Sequence, residues 1–115
     1  MIEIRGIRRD AGLRARVAAR LTGAVETLHV EPFSIHAAFV DDNGPKGGPT
    51  LRCALTVSLP AKPALRAEAS AETARLAFDA AMPALERKLE RYRERARDLR
   101  RRPKKYYAAR KALAG

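Results

Sequence analysis

The chain has no tryptophan, one cysteine and two histidines, and each scarcity removes a class of chemistry. Cys53 alone closes no internal disulfide, and a metal cluster needs more ligands than it offers. His29 and His36 stand at no recognisable spacing from a nucleophile or a second ligand. No set of nucleophile, base and oxyanion donor can be assembled, so no catalytic residue, metal or cofactor is expected and the chain does not read as an enzyme. Aromatic residues are only 5% of the chain, so alanine supplies much of the 46% that is hydrophobic and the core should be thin. No apolar run approaches the length that spans a bilayer, and Met1 to Arg5 lacks the apolar centre of a signal peptide. A cytoplasmic protein is expected.

Positive charge is what the chain has in excess. At 115 residues it is one small domain, and its formal net charge is +11. From Glu86 onward there are 13 Lys/Arg against 4 Asp/Glu, while the preceding residues hold 11 against 9. Nearly the whole excess therefore sits at one end. Such a field calls for a polyanion, either nucleic acid or an anionic membrane surface. A membrane-lying helix wants tryptophan and bulky apolar residues beside its basic face, and here the large apolar residues are needed for the core. Nucleic acid is the better fit.

The charge is carried by a stretch that reads as one amphipathic helix, Glu72 to Arg102. Ala74, Phe78, Ala81, Leu85, Leu89, Tyr92, Ala96 and Leu99 recur at steps of three and four and share one face. Glu86, Glu90, Glu94 and Asp98 step by four, an acidic ladder expected near the solvent pole. Lys88, Arg91, Arg95 and Arg102 fall on one shoulder with Arg87 at its edge, and Arg75, Arg93, Arg97 and Arg100 line the other. Pro83 lies inside the helix and costs about 3 kcal/mol there. A kink near Asp79 to Pro83 is expected, with the helix resuming through Leu85.

Before that helix the pattern is shorter-ranged. Ile2 to Arg8 reads as a half-buried strand with a bend or bulge invited at Gly6. Asp10 is placed to cap a first helix marked by Leu13, Val17, Leu21, Ala24, Val25 and Leu28, which Gly23 weakens without ending. Phe33, Ile35, Ala37 and Phe39 alternate with Ser34, His36, Ala38 and Val40 in a second strand. Leu51, Cys53, Leu55, Val57 and Leu59 face one way in a third, and Leu65, Ala67 and Ala69 mark a fourth. The long helix then starts, capped by Ser70 or Thr73. The order β-α-β-β-β-α gives a right-handed parallel crossover followed by an antiparallel meander. An α+β fold follows: a two-layer sandwich of a four-stranded mixed sheet with both helices on one face, since the other face is too polar to bury. The domain spans 1–102, and a short basic tail spans 103–115.

Several residues resemble one family. They are the loop Val40-Asp41-Asp42-Asn43-Gly44-Pro45-Lys46-Gly47-Gly48 between strands two and three, Cys53 with Val57 and Leu59-Pro60, and Ala77-Phe78-Asp79-Ala80-Ala81 leading into Leu85-Glu86-Arg87-Lys88-Leu89. The chain is similar in these to the ribosome hibernation promoting factors and ribosome-associated inhibitors, over about residues 1–102. The resemblance implies a factor that lodges in the decoding channel of the small ribosomal subunit and contacts its 16S rRNA. There it competes with mRNA and tRNA and inhibits translation under stress or in stationary phase. By motif it implies RNA contacts at Arg87, Lys88 and Arg91, with Lys46 of the loop as a further candidate. Helical phase adds Arg95 and Arg102. Pro83 departs from the family pattern, the tail is short, and the further C-terminal domain of the long members is not seen. Ribosome pairing through that domain is not expected, and a monomer off the ribosome is.

The chemistry agrees with that implication independently. A rigid helix that spaces Arg and Lys along one shoulder suits the phosphates of a structured RNA, and counterion release makes such binding salt-sensitive. Stacking aromatics are sparse on the faces expected to be exposed, so shape and backbone are read, not sequence. Gly44-Pro45-Lys46-Gly47-Gly48 fails the phosphate-loop pattern, because Pro49 stands where glycine is required and no Lys-Ser/Thr follows. Asp41 and Asp42 read as turn residues, not metal ligands, and Tyr106 and Tyr107 are open to stacking on bases or packing on the domain. The alternative function is a protein-interaction module that docks the basic helix in an acidic groove through an exposed Tyr92, Ala96 and Leu99 stripe.

Overall fold

Period-two alternation builds four strands and period-3.6 alternation two helices, in the computed structural model that describes residues 2–28, 31–41, 50–60 and 63–101. They run β1 (Ile2–Arg5), α1 (Ala11–Glu26), β2 (Ser34–Asp41), β3 (Leu51–Ser58), β4 (Leu65–Ala71) and α2 (Ala74–Arg101). The sheet has the order β1-β2-β3-β4, with β1 parallel to β2 and the other pairs antiparallel. This is the expected two-layer α+β sandwich. Both helices cover one face. Leu13, Val17 and Leu21 of α1 and Phe78, Met82 and Leu85 of α2 form one core with Ile35, Phe39, Leu55 and Val57 of the sheet. No polar side chain is buried among the described residues.

The expected ends shift in three places. β1 stops at Arg5, not Arg8, because Gly6 turns the chain out of the sheet at φ 95°. Ile7, past the bend, is buried under the helices instead. Phe33 does not join the inward row of β2, and it is 73% exposed. Its N–H still donates to the Ser58 carbonyl at 2.8 Å. Pro32 before it has no N–H to carry the ladder further. α2 begins at Ala74, and of the two proposed caps it is Thr73 that serves, its hydroxyl accepting from the Leu76 N–H at 3.1 Å. Ser70 lies within β4. The α1 cap is as expected, with Asp10 accepting from the Leu13 N–H at 2.9 Å.

Cys53 sits in the centre of β3 with no exposed surface. Burial pushes its thiol up to about 12. It acts as a small apolar residue, protonated at any physiological pH.

Gly6 is the tightest position in the backbone. An added Cβ there would lie 2.0 Å from the Phe39 carbonyl oxygen, in a left-handed conformation that side chains avoid. Gly6→Ala should therefore cost about 3 kcal/mol or more, read as a lower urea midpoint. Gly23, mid-helix with nothing within 4 Å of an added Cβ, is the control. There alanine should raise stability by roughly 0.5–1 kcal/mol.

Candidate nucleic-acid interface

α2 is a 28-residue helix, about 42 Å long, over strands of no more than 8 residues. It cannot be covered by the sheet along its whole length. Its buried side runs from Ala77 through Leu89, while Tyr92 and Ala96 are half-buried. The helix passes Pro83 as one element, with the proline ring on the exposed side. The missing N–H leaves the Asp79 carbonyl without its helical donor. Lys88 lies over the start of β4, where its Nζ donates to the carbonyl of Arg66. From there the helix runs on past that end of the sheet.

The ion pairs of α2 fall on one side of it. On the side facing α1, Arg16 Nη2 meets Asp79 Oδ1 at 3.0 Å and Arg20 meets Glu86 at 3.7 Å. Arg93, half-buried, pairs with Glu90 on the same helix at 2.6 Å. These partly exposed pairs contribute about 0–1 kcal/mol each. Their consequence is electrostatic: two α1 arginines and one α2 arginine are neutralised by three α2 carboxylates. On the side facing β4, Lys88 meets only a neutral carbonyl. Arg87, Arg91 and Arg95 are exposed, and among the described residues they pair with no carboxylate. Arg91 and Arg95 are one helical turn apart, about 6 Å in rise, and Lys88 lies one turn before them.

Arg87, Lys88, Arg91 and Arg95 are thus brought onto one side of one helix. Lys46 and Arg102 lie outside the described residues, as do the 42–49 loop and the tail after residue 101. The acidic ladder is not wholly at the solvent pole, since Glu86 reaches α1 and Glu90 holds Arg93. The α1 arginines that take up those carboxylates carried no signal in the local pattern of α2. They lie 63 and 66 residues away from their partners, a pairing that only tertiary packing creates. Of the Tyr92, Ala96 and Leu99 stripe, Tyr92 packs partly on the core and Ala96 is half-buried. The described residues hold no group of three metal-ligating side chains and no helix long and apolar enough to cross a membrane.

Comparison with known proteins agrees with this architecture. The family model described as "Sigma 54 modulation protein / S30EA ribosomal protein" matches residues 1–97. Among solved structures, the N-terminal domain of Thermus thermophilus Protein Y is similar, with 20% identity and a TM-score of 0.60 over 79% of this chain and 94% of that one. A ribosomal subunit interface protein from Coxiella burnetii is similar with 18% identity and a TM-score of 0.58, over 82% of this chain and 96% of that one. At these identities the likeness shows the fold. Comparison with curated proteins gives no match.

If the carboxylates of α2 mask α1, removing them should widen the basic surface. Asp79→Asn with Glu86→Gln should strengthen binding to a structured RNA and steepen the slope of log K against log salt by about 2, as two arginines become available. Stability should change by about 2 kcal/mol or less. A filter-binding salt series checks this, and an unchanged slope would mean that α1 stays out of reach of the RNA.

Proposed function

Because the chain belongs to the sigma 54 modulation protein / S30EA ribosomal protein family, we propose that it is a ribosome hibernation factor acting on the small subunit. The family is one of ribosome-associated factors and not of enzymes. In this reading the domain lodges in the mRNA and tRNA path of the subunit, against 16S rRNA, and inhibits translation in starved or stressed cells. It acts in the cytoplasm, needs no cofactor, and excludes mRNA and tRNA by occupying their space.

The single observation that carries the reading is the row of cations along the β4-facing shoulder of α2. Asp79, Glu86 and Glu90 of α2 are taken up by Arg16, Arg20 and Arg93, and the shoulder facing β4 presents Arg87, Lys88, Arg91 and Arg95 without a carboxylate partner among the described residues. A row of fixed cations on a rigid helix that projects beyond its sheet suits the phosphates lining a narrow RNA channel. Lys46 and Arg102 complete the proposed contact set. Burial of Leu85 and Leu89 on the opposite face keeps this row from rotating away, so little order has to be gained on binding. Base reading is not required. The described α2 residues offer one aromatic beyond Leu89, Tyr92, and it is packed on the core.

Replacing Lys88, Arg91 and Arg95 together by glutamate should abolish co-sedimentation with purified small subunits. Three cations exposed to solvent are changed, so the circular dichroism spectrum and urea midpoint should stay close to those of the parent. With fewer phosphates neutralised, any residual binding should show a salt slope shallower by about 3. Retention of full binding by the triple variant would place the RNA contact on another surface.

A further inference from the structure

The sheet face turned away from the helices carries a charge pattern that is its own complement. Register places Glu3, His36, Thr56 and Arg66 in one row across the four strands, and Arg5, Ala38, Ala54 and Glu68 in the next. Strand parity puts all eight on the outer face, because Ile4, Ala37, Leu55 and Ala67 between them turn into the core. From β1 to β4 the first row reads acid, imidazole, hydroxyl, base, with His36 Nδ1 3.7 Å from the Glu3 carboxylate. The second reads base, neutral, neutral, acid. Within one chain each edge satisfies itself along its own strand, Glu3 with Arg5 and Arg66 with Glu68. All four side chains keep between 38% and 76% of their surface exposed, so each can take a second partner.

We propose that this face is a self-association surface whose occupant is a second copy of the chain. A two-fold axis lying in the contact plane makes the interface isologous. If the axis runs along the strands between β2 and β3, it exchanges the edges and lays Glu3 on Arg66 of the second copy and Arg5 on Glu68 of the second copy. If it runs across the strands between the two rows, Glu3 meets Arg5 of the second copy and Arg66 meets Glu68 of the second copy. Either way four ion pairs form and none of these eight residues meets a like charge; Arg52, one row further along, faces Val40 of the second copy in the first arrangement and Ser58 of the second copy in the second. A slip along the strands by one row from the first arrangement sets Glu3 against Glu68, so register is enforced by charge. Between the charged edges, Ala38 and Ala54 are small enough for two sheets to approach at their ordinary packing distance of about 10 Å.

Magnitudes make this a weak dimer. Four strands about 4.8 Å apart and about seven residues long cover roughly 400–450 Å² of plane per copy, roughly 800–900 Å² in total and below the about 1,000 Å² that a stable specific pair needs. Self-association is therefore concentration-dependent and transient, and it replaces the expected monomer only in concentrated solution. α2 lies on the other side of the sheet, so Arg87, Arg91 and Arg95 stay exposed in the pair. The inference is independent of ribosome binding and can fail without touching it.

Sedimentation equilibrium of the whole chain at about 0.15 M salt, where long-range repulsion is screened but contacting charges are not, tests it. The parent should dimerise reversibly as concentration rises, and Ala54→Arg, which blocks the centre of the face, should not. Glu3→Arg, Arg66→Glu and Arg5→Glu should each lower the dimer fraction severalfold when alone. Mixing Glu3→Arg with Arg66→Glu should restore association if the axis runs along the strands. Mixing Glu3→Arg with Arg5→Glu should restore it if the axis runs across them. A parent that stays monomeric at millimolar concentration would overturn the proposal. So would dimerisation of Ala54→Arg at parent strength, or the failure of both mixtures to restore association between variants that are folded by circular dichroism.

Discussion

Burial of one face of a four-stranded sheet under two helices is the constraint from which the rest of the structure follows. Both helices must lie on the same side, because only that side of the sheet is apolar. β4 is about 23 Å long and α2 about 42 Å, so α2 has to leave the sheet partway along its length. The residues that leave are the most basic in the described chain. Core packing of Phe78, Met82, Leu85 and Leu89 anchors the first half of α2, and that anchorage gives the second half a defined direction. Lys88, bonded to the β4 backbone, marks the boundary between the two halves.

Electrostatics then sorts the surface. None of the ion pairs on α2 is buried enough to matter much for stability, and removing one costs about 1 kcal/mol or less. Their effect is on where the field points. Asp79, Glu86 and Glu90 spend their charge on the α1 side and leave the β4 side uncompensated. A net charge of +11 spread evenly would attract any polyanion weakly; here nearly the whole excess lies from Glu86 onward, and cations held in a row on a rigid helix can match a shaped one. The family to which the chain belongs is built around ribosome association, and a basic arm of this kind fits that setting.

Much of this was legible in the residues. β3 alternates without a break from Leu51 to Leu59, Asp10 caps α1, and short connections leave little choice about the meander. Period and shoulder assignment placed Arg87, Lys88, Arg91 and Arg95 together. What was not legible depends on contacts between distant segments. Ala77 and Met82 are fully buried because α2 is gripped from both sides, which widens its apolar face beyond the narrow stripe read from steps of three and four. The pairing of Arg16 with Asp79 and of Arg20 with Glu86 appears only when α1 and α2 are laid side by side. Phe33 obeys the strand alternation yet is exposed, because it lies just before the start of β2 at Ser34, beyond the cover of the core.

The measurement that bears most directly on this account is co-sedimentation of the parent protein with purified small ribosomal subunits over a salt series, with initiator tRNA as competitor. The account predicts saturable binding at one copy per subunit, displacement by the tRNA, and a steep fall in affinity as salt rises. Binding that never saturates, or that ignores the tRNA, would contradict it and leave a basic domain with general affinity for RNA.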